Sequence, residues 1–346
     1  MIRLRRELAA SLGGPDRDAV LAALQQALQL EHSTIPPYLY ALYSLAPGTN
    51  ATVASIIRSV VVEEMLHMAL ASNLILGLGG SPVLDTIDVI PRYPGRLPGS
   101  VASSLVVGLQ PCSLDLIERV FMKIEEPEEP LVFRAEVEAA QEITIGEFYE
   151  AIKTSIAALG DAAFVCDENR QLGPDLLPNA IVVTDVDTAH AAIDTIVAQG
   201  EGTTTAPLEV VGTDFAHYYR FNEIVHGHRL IHNPDANRDD PPEQQFLYAG
   251  EPIVFNPDAV LALPTNPTLA GYPFGGVAFL ACRTFNYTYT NLLKVLHEVF
   301  NGSPERYGAA IGLMMSLEQQ AKDMTTGVTT GGAAVGPSFE FQPENA

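Results

Sequence analysis

Three residues carry the first chemical signal: Glu31 in LEHSTIPPYLYAL (30–42), and Glu64 with His67 in VVVEEMLHMALASNL (60–74). Both stretches belong to segments whose apolar residues recur at the spacing of a helix with one buried face. Val20, Leu21, Leu24, Leu28, Glu31, Ile35, Tyr38 and Leu42 share one stripe; Val53, Ile57, Val60, Glu64, His67, Ala71, Leu74 and Leu78 share the other. Two carboxylates and an imidazole therefore face inward, and no Lys or Arg lies on either stripe. Any one of them alone reads best as a core residue satisfied by a protein partner or a water. Together they point to a metal, because unpaired carboxylates stacked in a core cost several kcal/mol each.

The elements that must position them follow from period and punctuation. Residues 16–45 and 51–78 are expected to form a helical hairpin around the turn cluster Ala46-Pro47-Gly48-Thr49-Asn50. Glu31 stands about fourteen residues before that turn and Glu64 about fourteen after it, so an antiparallel pair brings them level. A Glu on one helix and a Glu-x-x-His on the next make half of a dinuclear carboxylate site in a bundle core.

Two candidates compete for the other half. In one, Glu201 closes the stripe Val186, Ala189, Ile193, Val197, and Asp214-x-x-His217 opens the next helix beside Phe221, Ile224 and Val225. In the other, Glu147 pairs with Glu223-x-x-His226. Glu147 lies beside its stripe rather than on it, and a capping box with Thr144 already accounts for it. Apolar company favours Glu201, Asp214 and His217. Pro36 and Pro37 lack N–H groups and free the carbonyls of His32 and Ser33 just past Glu31, either to widen a cavity or simply to curve a long helix. His32, His190, His228, His232 and His297 match no second ligand pattern and read as surface or structural residues. Met314-Met315 reads as packing.

Further along the chain, residues 79 to about 130 form a Pro- and Gly-rich excursion with one short helix near 113–123. Helices are expected over 144–159, 185–201 and 213–231. Loop and short strand follow Pro234, then helices near 286–300 and 304–324, and a Gly- and Thr-rich tail expected to pack loosely. The fold class expected is mainly α: a four-helix bundle over 1–232 with a long insertion at about 80–143, and a C-terminal extension over 233–346 of short strands plus two helices, packed on the bundle and not an independent domain.

Composition excludes several function classes. The 346 residues carry 42 acidic and 19 basic side chains, a net charge of −23, which repels nucleic acid and anionic lipid. No uninterrupted apolar run approaches a membrane span, and the N-terminus lacks the apolar middle of a signal peptide. Cys112, Cys166 and Cys282 match neither a zinc spacing nor a disulfide framework, so a reduced, cytoplasmic setting is expected.

The residues around these motifs resemble a known family, the ferritin-like domain of bacterial iminophenylpyruvate dimer synthases in bisindole pigment pathways and of related stand-alone proteins. The resemblance rests on LEHSTIPPYLYALYSL (30–45), VVVEEMLHMALASNLILGLGGSP (60–82), TIGEFYEAI (144–152), IVAQGEGT (196–203), AHYYRF (216–221) and GPSFEF (336–341), in that order along nearly the whole chain. It implies a ferritin-like bundle with Glu31, Glu64, His67, Glu201 and His217 at the motif positions. Asp214 stands where such chains carry an acid three residues before the last His.

A carboxylate-rich set with two imidazoles and open positions suits iron, or manganese as the alternative, better than zinc. The function expected is a non-haem di-iron oxidoreductase that uses O2 to oxidise a small molecule, with a homo-oligomer possible. The alternatives are a metal-free or mononuclear small-molecule-binding or scaffold protein, and an iron-storage ferroxidase, the latter disfavoured by the insertions.

Overall fold

The computed structural model describes residues 4–5, 11–99, 105–127, 142–165, 167–200, 215–237, 240–241 and 244–342. A two-residue strand β1 (Leu4–Arg5) pairs antiparallel with β2 (Glu142–Ile143). Helix α1 (Arg17–Tyr43) is capped by Asp16, whose carboxylate accepts from the Ala19 N–H at 3.1 Å. It runs unbroken through Pro36 and Pro37. The Ser33 carbonyl, left without its usual helical donor by Pro37, accepts a hydrogen bond from the Tyr93 hydroxyl at 2.7 Å. Helix α2 (Ala51–Gly77) starts after Asn50, which takes the left-handed conformation at φ 47°. Long and apolar enough to cross a membrane, α2 is instead a core helix, with most of its residues buried in the bundle.

The excursion after α2 contributes α3 (114–124), a short helix with a π turn at Ile117–Phe121. Helix α4 (Ile145–Leu159) opens with the expected capping box: Thr144 accepts from the Glu147 N–H, and the Glu147 carboxylate accepts from the Thr144 N–H, both at 2.9 Å. Helix α5 (Val186–Gly200) follows. The α1–α2 hairpin packs against the α4–α5 pair, α1 on α4 and α2 on α5, which makes the four-helix bundle. Its centre holds side chains such as Leu24, Leu28, Val60, Ile152 and Ile193, all fully enclosed.

Helix α6 (His217–His226) is shorter than the 213–231 expected. Gly227 ends it in the left-handed conformation at φ 71°, where an L side chain would be strained. The chain then becomes strand β3 (His228–His232), paired antiparallel with β4 (Phe246–Pro252). Helix α3 packs on α6, with Tyr38, Phe121 and Phe221 joined by ring contacts of 4.6 to 5.4 Å.

Helix α7 (Val277–Phe300) begins nine residues before the expected start. With α8 (Tyr307–Gly327) it forms a second hairpin that lies against α1 and α2. Beyond the two-residue strands β5 (Thr329–Thr330) and β6 (Ala333–Ala334), the closing segment contradicts the loose packing expected of it. Val335 and Phe339 are buried, Asn286 donates to Ser338 Oγ at 2.8 Å, and Glu340 accepts from the Leu269 N–H at 2.6 Å. Gly336 is required there, because a Cβ would collide with the Tyr40 hydroxyl.

Candidate metal centre

All three hairpin residues arrive where helical period and depth put them. Glu31, Glu64 and His67 are buried together, with ligand atoms all within 4.8 Å of one another. A second buried triad of the same dimension consists of Glu64, Glu125 and His217. Glu64 belongs to both, so two three-residue sets share one carboxylate between them. The His67 and His217 rings stack with centroids 5.5 Å apart and planes inclined by 21°.

Each imidazole turns its Nδ1 to the carboxylates and has its Nε2 tied down. His67 Nδ1 is 3.4 Å from Glu31 Oε2, and its Nε2 is 2.9 Å from Gln199 Oε1. His217 Nδ1 is 2.9 Å from Glu64 Oε1 and 3.4 Å from Glu125 Oε2, and its Nε2 is 2.9 Å from Glu63 Oε2. An acceptor at Nε2 places the ring proton there and leaves Nδ1 with its lone pair free for a cation. Arg220 fixes Glu63 in turn, donating from both terminal nitrogens, one of them at 3.0 Å.

The carboxylates are steered in the same way. Tyr149 donates to Glu31 Oε1 at 2.6 Å, Thr34 to Glu64 Oε2 at 3.0 Å, and Tyr38 to Glu125 Oε1. Each acid thus has one oxygen held by a hydroxyl and the other available beside an imidazole. The space between them is a cavity of about 40 Å³, lined also by Leu30, Ile124, Ile145 and Ile196.

Charge in this cavity is unresolved by protein groups alone. Burial, reinforced by the charges of Glu125 and Glu31, pushes Glu64 up to about 7 against the pull of His217. Burial presses His67 and His217 down, but their acidic neighbours outweigh it and both lie above the ordinary imidazole value, His217 well above. For Glu31, burial is outweighed by contact with His67 and Tyr149, which holds it below the carboxylate norm. Glu63 falls to about 2, because His217 and Arg220 overcome its burial.

The donor set fits a metal. His217 Nδ1 is buried and faces carboxylate oxygens of Glu64 at 2.9 Å and Glu125 at 3.4 Å. A nitrogen lone pair facing buried carboxylates is unfavourable unless a proton or a cation sits between them. Three carboxylates with two imidazoles are the hard and borderline donors of a first-row divalent ion. Glu31, Glu64, His67, Glu125 and His217 could hold such an ion.

Residues 24–226 match the family model described as Ferritin-like. The chain belongs to the ferritin-like family. A solved ferritin-like protein from Caulobacter vibrioides shares the fold at a TM-score of 0.60 and 23% identity, with 92% of this chain and 96% of that chain covered. Comparison with curated proteins gives no match.

Within this ferritin-like chain, four of the residues expected at the centre come together: Glu31, Glu64, His67 and His217. Glu201 and Asp214 lie outside the described residues. Of the competing set, Glu147 caps α4. Glu223 accepts from Arg229 at 2.6 Å and from the Leu230 N–H at 2.8 Å, and His226 stacks on Tyr248 at 4.2 Å. Sequence reasoning missed Glu125 and Glu63. Glu125 lies in the acidic, Pro-interrupted run KIEEPEEP (123–130), which has no helical period to mark one acid as inward. Glu63 is adjacent to Glu64 and so falls off the inward stripe, and only the docking of α6 gives it His217 and Arg220.

Proposed function

We propose that this ferritin-like chain is a dinuclear metal oxidoreductase, with iron as the metal and manganese as the alternative, acting on a small molecule with O2. The observation that carries the reading is the pair of buried Glu/His triads meeting at Glu64. Three carboxylates and two neutral imidazoles hold three negative charges; one divalent cation would leave one negative charge, and two would leave one positive charge, which a further carboxylate such as Glu201 or Asp214 would offset. Glu31, Glu64 and His67 would hold one ion, and Glu64, Glu125 and His217 the other. Glu201, which directly follows the cavity-lining Gly200 in sequence, and Asp214 are proposed as further carboxylates. Bound there, a redox-active pair supplies the electrons that O2 reduction needs.

The protein's own part is orientation and exclusion. Gln199 and Glu63 keep the imidazole lone pairs on the ions, and Tyr149, Thr34 and Tyr38 fix the carboxylate rotamers. The cavity of about 40 Å³ has room for O2 or a few waters, so an organic substrate would bring only its reacting end to the centre. The motif resemblance to the iminophenylpyruvate dimer synthase domain supports placing the chain in that branch and its substrate among small organic molecules, in a cytoplasmic setting.

Anaerobic loading with ferrous iron tests the reading. Two ions per chain should bind by elemental analysis, and oxygen-electrode traces should show O2 uptake on aeration. Glu64→Ala should lose both ions and the uptake. Binding of one ion or none by the wild type, or loading without O2 uptake, would overturn it.

A further inference from the structure

Behind the metal-centre face of α1 lies a second, larger cavity. While Glu31 and Thr34 turn toward the metal centre, the intervening His32 and the following Ile35 and Pro36 turn the other way, into a space of about 180 Å³ between the α1–α2 hairpin and the α7–α8 pair. The two cavities share no lining residue. The walls are apolar, and Met65, Met68 and Met314 add side chains that adapt to irregular shapes. Its mouth is open: Val62, Ile311 and Met315 are 48%, 37% and 68% exposed.

One polar group in this space is unsatisfied. His32 is 3% exposed, and its Nδ1 has no hydrogen-bond partner among the described residues. Its Nε2 lies 2.8 Å from the Tyr289 hydroxyl. That buried hydroxyl has no other acceptor among the described residues, so it donates to Nε2, and the ring proton resides on Nδ1. The cavity therefore presents one N–H donor in an apolar room. At the mouth, Arg58 and Glu318 pair at 2.8 Å and cancel, so no net charge recruits a charged head group.

We propose that this cavity is a binding site for a neutral, apolar small molecule of about one aromatic ring that carries a single hydrogen-bond acceptor, received by the Nδ1–H of His32. Size sets the first part of that description: a cavity of roughly 150 Å³ with apolar walls is known to hold a benzene ring. The lone buried donor sets the second, since a ligand without an acceptor would leave it unsatisfied. The site is separate from the metal centre and does not depend on metal binding.

Two probes of matched shape decide the matter: acetophenone, which has a carbonyl, and ethylbenzene, which does not. Calorimetric titration of the full-length protein, chelated and metal-loaded, should show acetophenone binding about three- to tenfold more tightly than ethylbenzene in both states, the worth of one hydrogen bond. His32→Phe should abolish the preference while retaining binding of ethylbenzene. Ile311→Trp, a filling substitution at the exposed mouth that leaves the fold intact by circular dichroism, should weaken both probes. The proposal fails if the wild type binds neither probe or does not distinguish them, if the preference survives His32→Phe, or if Ile311→Trp binds both undiminished.

Discussion

At the scale of the residue, the candidate centre sets buried acids and imidazoles beside the groups that aim them. The amide oxygen of Gln199 receives the His67 Nε2 proton and so decides which nitrogen faces the cavity. Gln199→Leu should lower metal affinity by roughly 10- to 100-fold, the usual effect of removing such a partner, with α-helical content unchanged in far-ultraviolet spectra. Glu125→Gln keeps the shape and the contact with Tyr38 but removes a charge beside His217, and should reduce the ions bound from two to one. The same residues set a pH dependence. In the metal-free protein Glu64 is raised to about 7 and both imidazoles are raised, so protons occupy positions that a cation must take. Metal binding should release protons, and apparent affinity should climb as pH rises from 6 to 8 and Glu64 loses its proton, by up to about tenfold per unit for each proton displaced. Titrations in buffers of different ionisation enthalpy count those protons, and an affinity flat across that range would refute the assignment.

At the scale of the element, the ligands depend on where helices begin and stop. Helix α1 delivers Glu31 at a level fixed by the turn at 46–50, and α6 delivers His217 from its first turn. Helix α4 contributes Tyr149, and its register depends on the capping box at Thr144. Thr144→Ala should destabilise the protein by about 1 kcal/mol in urea unfolding. Metal stoichiometry should stay the same, since no ligand is removed. Element boundaries explain the misread portion of the chain. Gly227 terminates α6 by its backbone conformation, and the residues beyond it keep enough apolar character to mimic continued helix until β4 pairs with them. In α7, the stretch before Asn286 is helical because Ala278, Cys282 and Phe285 find a buried face, which the local pattern beside Gly275-Gly276 does not disclose.

At the scale of the whole molecule, the bundle encloses a dense set of buried acids at its candidate metal centre. Chelation should therefore lower Tm: cations that bind only the folded chain stabilise it by about 2.7 kcal/mol when present at a hundred times Kd, and differential scanning calorimetry with and without chelator should show that loss. The sequence by itself determined the helical hairpin, the inward faces of Glu31, Glu64 and His67 and their common depth, because helical period and turn chemistry are local properties. It also singled out His217 and the cap at Thr144. Only the tertiary structure decided that Glu125 enters from the excursion after α2, that Glu63 and Gln199 aim the imidazoles, and that the closing GPSFEF segment locks against α7. Those contacts join residues far apart in the chain. No period records them, and packing alone selects which acid of a charged run is drawn inside.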